Sequence, residues 1–395
     1  METEEGDPAR MQRLLAVNML YTFIASALAV LVPLYLLERQ VDIAWIGVIL
    51  SVGPLSFMVI RILLASIADE IGTKKIAILY SAMNVVSILF YIFVASPLGF
   101  AAATLSEGVR NSGFWAIART EVLSANGKGD PGKALVRFSN MRQLADGAGR
   151  LAVGAALAYL AFSGAFAAFL LLSVLLLGLI AWGEKMPSGG MRVDRDTLAR
   201  IFKKRPKTFW HASFLQLLIW LAYNMLIGFL LPLFLISGIG LDYGAAGTLL
   251  ALHSIATFIF AFAFLRLNLP KSTLILASFA SVPALVALPF APGLLLPLLA
   301  IVAAGYGCGY IVAEHILADQ VYRSKDLSTD IGVLYAPLKV SEFLFLSLGG
   351  LVIKEFGFAP LFGLLALSLA LFVVFGRTLM APPAKKPLFA PPGKA

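Results

Sequence analysis

The chain has 395 residues, 60% of them hydrophobic and only 13% charged, with a mean hydropathy of +0.89; a soluble domain is about 45–50% apolar and about 25% charged. This excludes a water-soluble enzyme and a disordered chain and, with Cys308 the only cysteine, a disulfide scaffold or a cysteine-based zinc site. The net charge of +9 is weighed first against membrane topology, because cytoplasmic loops of membrane proteins carry excess Lys and Arg, and only then against nucleic acid.

A membrane helix needs about 20 mostly apolar residues. Twelve such runs follow one another, near 14–37, 43–67, 76–95, 98–118, 138–162, 164–182, 209–236, 246–265, 272–290, 294–318, 332–353 and 359–380. They are too long for strands, whose open edges lipid does not tolerate. The first run is longer than the apolar core of a signal peptide and a second follows at once, so it reads as a retained helix. The leader METEEGDPAR and the Pro/Lys-rich tail read as disordered cytoplasmic ends. With both termini inside, the inner loops collect the basic residues, Arg119 among them, while the outer loops hold only Arg39 and Lys354. That bias predicts a multi-pass protein of the cytoplasmic membrane and accounts for the charge without nucleic acid.

A basic linker, 183–208, divides the chain into 1–182 and 209–380, with a tail at 381–395. The two parts align at a shift of 200. Asp42, Gly47 and Leu50 match Asp242, Gly247 and Leu250; Pro97 matches Pro297 and Gly149 matches Gly349. One shift serving separate regions predicts a duplicated six-helix unit whose halves are related by an axis along the membrane normal. Two such bundles can rock around a midplane cavity, so the architecture points to transport.

Between the second and third runs lies Ala65-Ser-Ile-Ala-Asp-Glu-Ile-Gly-Thr-Lys-Lys75. Gly72 permits a tight turn. Asp69 can accept hydrogen bonds at a helix end or pair with a base, and Lys74 and Lys75 fall at headgroup level. The segment resembles the signature loop of the major facilitator superfamily, of the type G-x-x-x-D-R/K-x-G-R-K. Asp69, Gly72, Lys74 and Lys75 match it, whereas Ala65, Glu70 and Thr73 depart from it. The resemblance covers residues 11–380. It implies an all-α membrane protein of twelve transmembrane helices in two pseudo-symmetric six-helix bundles, with this loop latching the bundles in one state. The expected partners are a small-molecule substrate, protons or sodium as coupling ion, and the lipid bilayer. A monomer is expected, with no cofactor, no metal and no enzymatic reaction.

The ionisable groups within the runs carry most information. They are Arg61, Glu107, Arg110, Arg142, Asp146, Arg150, Lys339 and Glu342. Each unpaired charge at the bilayer centre costs about 2.5–3.5 kcal/mol. Eight would cost on the order of 20–28 kcal/mol, beyond the usual net stability of about 5–15 kcal/mol. They must pair or face a wet cavity. Arg142, Asp146 and Arg150 share one helical stripe. At the 200 shift Asp146 meets Leu346 and Arg142 meets Glu342, so the charges look asymmetric between the halves.

Glu107 and Asp146 are the expected proton carriers. Arg110, Arg150 and Arg61 are expected to hold an anionic group, which the guanidinium fork suits. Asn18, Gln216 and Asn224 are expected to line the cavity or bridge helices. Arg142 is read as snorkelling and Lys339–Glu342 as a self-neutralising pair. Glu314, His315 and Asp319 fall at a cytoplasmic gate or in solvent. His253 reads as a hydrogen-bonded core residue. The basic excess within the runs points to an anionic substrate.

The stretch Gly305-Tyr-Gly-Cys-Gly-Tyr310 has no preceding strand and no Lys-Ser/Thr, so it is read as helix packing rather than a nucleotide loop. Pro33, Pro54, Pro232 and Pro337 are kink candidates. The function these features support is a proton-coupled carrier of a small organic anion. The alternative is a multidrug or metabolite efflux proton antiporter of the same fold. It is disfavoured because the fifth run has Gly147, Gly149 and Gly154 but not the Gly-Pro that the resemblance would imply for drug antiporters. A non-transporting receptor or lipid scramblase is the third reading.

Overall fold

The computed structural model describes residues 8–126, 129–182, 203–321, 324 and 327–379. Residues 1–7 of the leader, most of the basic linker and the tail lie outside the described residues, and so does the side chain of Asp69. Pro8, Ala9 and Arg10, expected in a disordered leader, instead open the first helix.

Among the described residues all regular structure is helical. The elements are α1 Pro8–Glu38, α2 Ile43–Ile71, α3 Thr73–Phe93, α4 Pro97–Ala125, α5 Pro131–Tyr159, α6 Ala161–Trp182, α7 Lys207–Gly238, α8 Tyr243–Leu267, α9 Lys271–Ala287, α10 Pro292–Val321, α11 Leu327–Phe356 and α12 Ala359–Leu379. Nine of them are long and apolar enough to cross a membrane. The others are α4 and α5, which are rich in charged residues, and α9, which is interrupted. The α9 break falls at Phe279 and Ala280, just ahead of Pro283; proline has no N–H for the helix ladder and its ring crowds the preceding turn.

Local chemistry sets the ends. Asp42 and Asp242 cap α2 and α8 by accepting from the backbone N–H of Ala44 and Ala245 at 2.9 and 2.8 Å. Ser96 and Asp130 cap α4 and α5, each followed by a proline at the first helical position. Gly72 alone separates α2 from α3, with φ +84° and ψ 153°, a conformation essentially closed to residues bearing a Cβ. In α7 the helix widens into π turns at Leu226–Leu230 and Phe234–Gly238 on either side of Pro232. The missing Pro232 N–H and the ring against the preceding turn are absorbed there instead of by a break. Outward faces are apolar: Leu171, Leu348 and Leu367 are each more than half exposed. Such a belt is a liability in water and a normal surface in lipid.

The helices alternate in direction. Arg10 on α1 reaches Glu121 on α4, and Lys271 on α9 reaches Asp319 on α10, at the end of the molecule where α1 begins and α12 finishes, here called the terminal end. At the distal end Lys354 on α11 pairs with Asp42, and Tyr243 donates to Glu38. The most extensive contacts between 8–182 and 203–379 are α2 with α11 and α5 with α8.

These two seams repeat one geometry. A Cβ on Gly47 would strike the carbonyl of Leu346 and the backbone of Gly350; a Cβ on Gly247 would strike the carbonyl of Arg150 and the backbone of Gly154. Gly47 and Gly247 are 200 apart, but Arg150/Leu346 and Gly154/Gly350 are 196 apart. The α5/α11 correspondence is therefore one helical turn away from the expected Gly149/Gly349 match. Asp146 corresponds to Glu342, an acid to an acid, so the expected charge asymmetry at this position is corrected. A four-residue slip keeps the same helix face, which is why isolated residue matches do not reveal it.

Candidate functional site

Between the two sets of helices lies a cavity of about 340 Å³, walled by α1, α2, α4, α5, α7 and α11. Each helix presents one stripe to it. On α4 the stripe is Glu107, Asn111, Trp115 and Arg119; on α5 it is Ser139, Arg142 or Gln143, Asp146 and Arg150. Steps of three and four residues keep these side chains on one face.

The cavity gathers Arg61, Glu107, Asp146, Arg150 and Asn224 from the expected set. Asp146 receives both a 2.7 Å ion pair from Arg150 Nη2 and a 2.9 Å hydrogen bond from Ser254 on α8, across the seam. Arg150 is only 4% exposed, and its Nε and Nη1 have no hydrogen-bond partner among the described residues. Asn224 donates to Glu342 Oε1 at 2.6 Å, and Lys339 pairs with Glu342 Oε2 at 2.5 Å. Glu342 thus stands on α11 much as Asp146 stands on α5: each acid is held by a base of its own helix and a polar side chain of another.

Three expected site residues do not line the cavity. Arg110 lies off the α4 stripe, turned toward α3. It donates to Asn84 Oδ1 at 2.9 Å, and Asn84 in turn donates to Ser173 on α6. Glu107 is 3.7 Å from it. Arg110 and Asn111 are adjacent and so about 100° apart around the helix; Asn111 faces the cavity, and Arg110 is corrected from a cavity residue to an internal tie of the α3, α4 and α6 cluster. Gln216 sits one turn below the α7 stripe and is bonded into a layer beneath the cavity, donating to the Ala313 carbonyl and accepting from Trp220 and Tyr335. Asn18 extends the α1 stripe in the same direction and is buried, with no hydrogen-bond partner for either amide atom among the described residues. In the signature-like loop, Gly72 makes the α2–α3 turn, and Lys74 and Lys75 open α3.

The layer beneath the cavity was not foreseen. Arg119, expected in an inner loop, is 4% exposed inside α4, because α4 runs on to Ala125. It grips Glu314 of α10 with Nη2–Oε1 at 2.5 Å and Nε–Oε2 at 3.2 Å, and Ser139 adds a hydrogen bond to Oε1 at 2.7 Å. Its guanidinium also packs on the rings of Trp115 and Tyr335. Glu314 is 1% exposed, whereas Asp319 is exposed and pairs with Lys271. Beside this pair Tyr310 donates to Asn140 at 2.7 Å. At the distal end the tie is solvent-exposed: Lys354 and the Ala44 N–H hold the Asp42 carboxyl below the usual carboxylate range. His253 faces the Leu299 carbonyl, edge-on to Tyr306.

Arg142 is the residue whose weight the sequence reading set too low. It lines the cavity, donates Nε–H to Thr22 Oγ1 at 3.2 Å and stacks on Trp115 at 4.0 Å. Among the described residues no carboxylate forms an ion pair with it, while Arg119, Arg150 and Lys339 each have one. Its terminal nitrogens have no hydrogen-bond partner among the described residues. Among the described residues no cluster of His, Cys, Asp or Glu is suited to a metal ion.

A family model described as Major Facilitator Superfamily matches residues 14–321. No curated protein matches the chain.

Proposed function

The chain belongs to the major facilitator superfamily of membrane transporters, and we propose that it carries a small organic anion through the central cavity by alternating access, coupled to protons. The twelve helices serve as twelve spans, grouped as bundles 1–182 and 209–380 that rock on the α2–α11 and α5–α8 seams. The terminal end, rich in Lys and Arg, faces the cytoplasm of a cytoplasmic-membrane protein that works as a monomer.

The observation that carries the reading is Arg142. A cation at this depth costs about 2.5–3.5 kcal/mol on insertion scales. Among the described residues no carboxylate forms an ion pair with it, and it lines the cavity. A substrate anion supplies the missing partner, and Arg61 and Arg150 add positive potential to the same wall. Glu107 and Asp146 carry the coupling protons. Asp146 suits this role because its hydrogen bond from Ser254 crosses the seam that must part; protonating the acid weakens both that bond and the pair with Arg150. Asn18 and Gln216 join the path when the Arg119–Glu314 layer opens. The loop with Asp69, Gly72, Lys74 and Lys75 latches the closed state.

Uptake into proteoliposomes tests this, with empty liposomes as the passive baseline and a panel of carboxylates and sulfonates as probes. Anion uptake above baseline is expected, increased by acid outside. Asp146→Asn and Glu107→Gln are expected to leave binding but remove the response to the gradient. Retention of that response in both variants would refute the coupling assignment. A response to sodium alone would replace the proton. Uptake driven only against an outward gradient, or confined to cationic solutes, would favour the efflux alternative.

A further inference from the structure

We infer that the transported anion is amphipathic: a single carboxylate-like group on an aromatic or branched hydrocarbon body. This rests on the anion reading above and narrows it from the distribution of chemistry along the cavity.

The charge requirement is for one group. Arg142 and Arg150 are eight residues apart on α5, about 12 Å along the helix axis, too far for one carboxylate to bridge. Asp146 stands midway and already occupies Arg150 through Nη2. A second anionic group approaching Arg150 would meet that carboxylate. Arg142 is left as the anchor, its planar fork presented beside the face of Trp115.

A connected part of the remaining wall suits an apolar body. Toward the distal end the cavity is lined by Leu28 and Val32 of α1, Leu50 of α2, Ile227 and Phe229 of α7 and Leu346 of α11. These six side chains have no hydrogen-bonding group, and Glu107 and Arg150 border them at the same level. A sugar would leave most of its hydroxyls unpaired against these six side chains, whereas a ring or branched chain would displace water from them. Four helices from both sides of the seam contribute to this apolar surface. Gly228 extends the space: a Cβ there would meet no atom within 4 Å.

Binding to the purified full-length chain tests this, read by calorimetry and by tryptophan fluorescence, since Trp115 and Trp220 line the cavity. The probes are 2-naphthoate, benzoate, acetate, succinate, glucose and the neutral 2-naphthamide. We expect affinity to rise from acetate through benzoate to 2-naphthoate, about fourfold per methylene-equivalent buried. Succinate, glucose and 2-naphthamide should bind at least tenfold more weakly than 2-naphthoate. Arg142→Gln should lose 2-naphthoate by a hundredfold or more, and Arg142→Lys should recover part of it, which separates anchoring from misfolding. Gly228→Leu should weaken 2-naphthoate while sparing acetate. If acetate, succinate and 2-naphthoate bind alike and all depend on Arg142, the anion site stands and the amphipathic inference falls. If glucose or 2-naphthamide binds best and Arg142→Gln changes nothing, both fall.

Discussion

Replacing Glu314 with Ala is expected to cost about 3–5 kcal/mol of stability, the range for removing one partner of a buried pair. The substitution would leave the Arg119 guanidinium, 4% exposed, without its two carboxylate contacts, and would strand the Ser139 hydroxyl. Packing on Trp115 and Tyr335 does not replace a counter-ion, because a cation over a ring is worth only about 0.5–2 kcal/mol. Against a net stability of about 5–15 kcal/mol the effect should be plain in thermal unfolding of the detergent-solubilised protein. Arg119→Leu combined with Glu314→Leu should recover most of the stability, since two apolar groups leave no orphan charge. The double variant should still lose transport if the pair is what reseals the terminal end. Full transport by the double variant would reduce the layer to packing.

Gly247→Leu is expected to abolish assembly or transport outright. Its Cβ would lie 2.6 Å from the Gly154 Cα and 2.9 Å from the Gly154 nitrogen, so backbone, not a flexible side chain, would have to yield. Ordinary overpacking costs about 1–3 kcal/mol; separating two helices along a seam costs more, because every contact of α5 with α8 loosens together. Gly293→Leu is the control, since nothing lies near its Cβ position. Expression yield and size-exclusion profile check this before flux does. A Gly247→Leu protein that behaves as wild type would mean the α5–α8 seam is looser than the glycine contacts require.

The helices were legible because lipid imposes length and apolarity directly on the sequence, and the matching starts of α2 and α8 were legible because Asp42 and Asp242 cap them. Composition could also say that charges within spans must be paired or wet. It could not say which. Arg110 and Asn111 are adjacent in sequence, yet one turns toward Asn84 and the other faces the cavity, and only helix azimuth decides between them. Arg119 and Glu314 are 195 residues apart, so their pairing exists only once α4 and α10 meet. Arg119 was also counted with a loop because hydropathy ends a span where a helix merely turns polar. Arg142 was undervalued for a related reason. Its distinction is that no carboxylate among the described residues forms an ion pair with it, and pairing is a property of packing.

The most direct measurement concerns access to the cavity from each side. In a Cys308→Ala background, which removes the natural cysteine, Gly228→Cys places a thiol in open space on the cavity wall. A membrane-impermeant maleimide applied to right-side-out and to inverted vesicles should label it from both sides, each at a measurable rate, because the bundles expose the same wall alternately. Labelling from one side only, or from neither, would contradict a central alternating pathway.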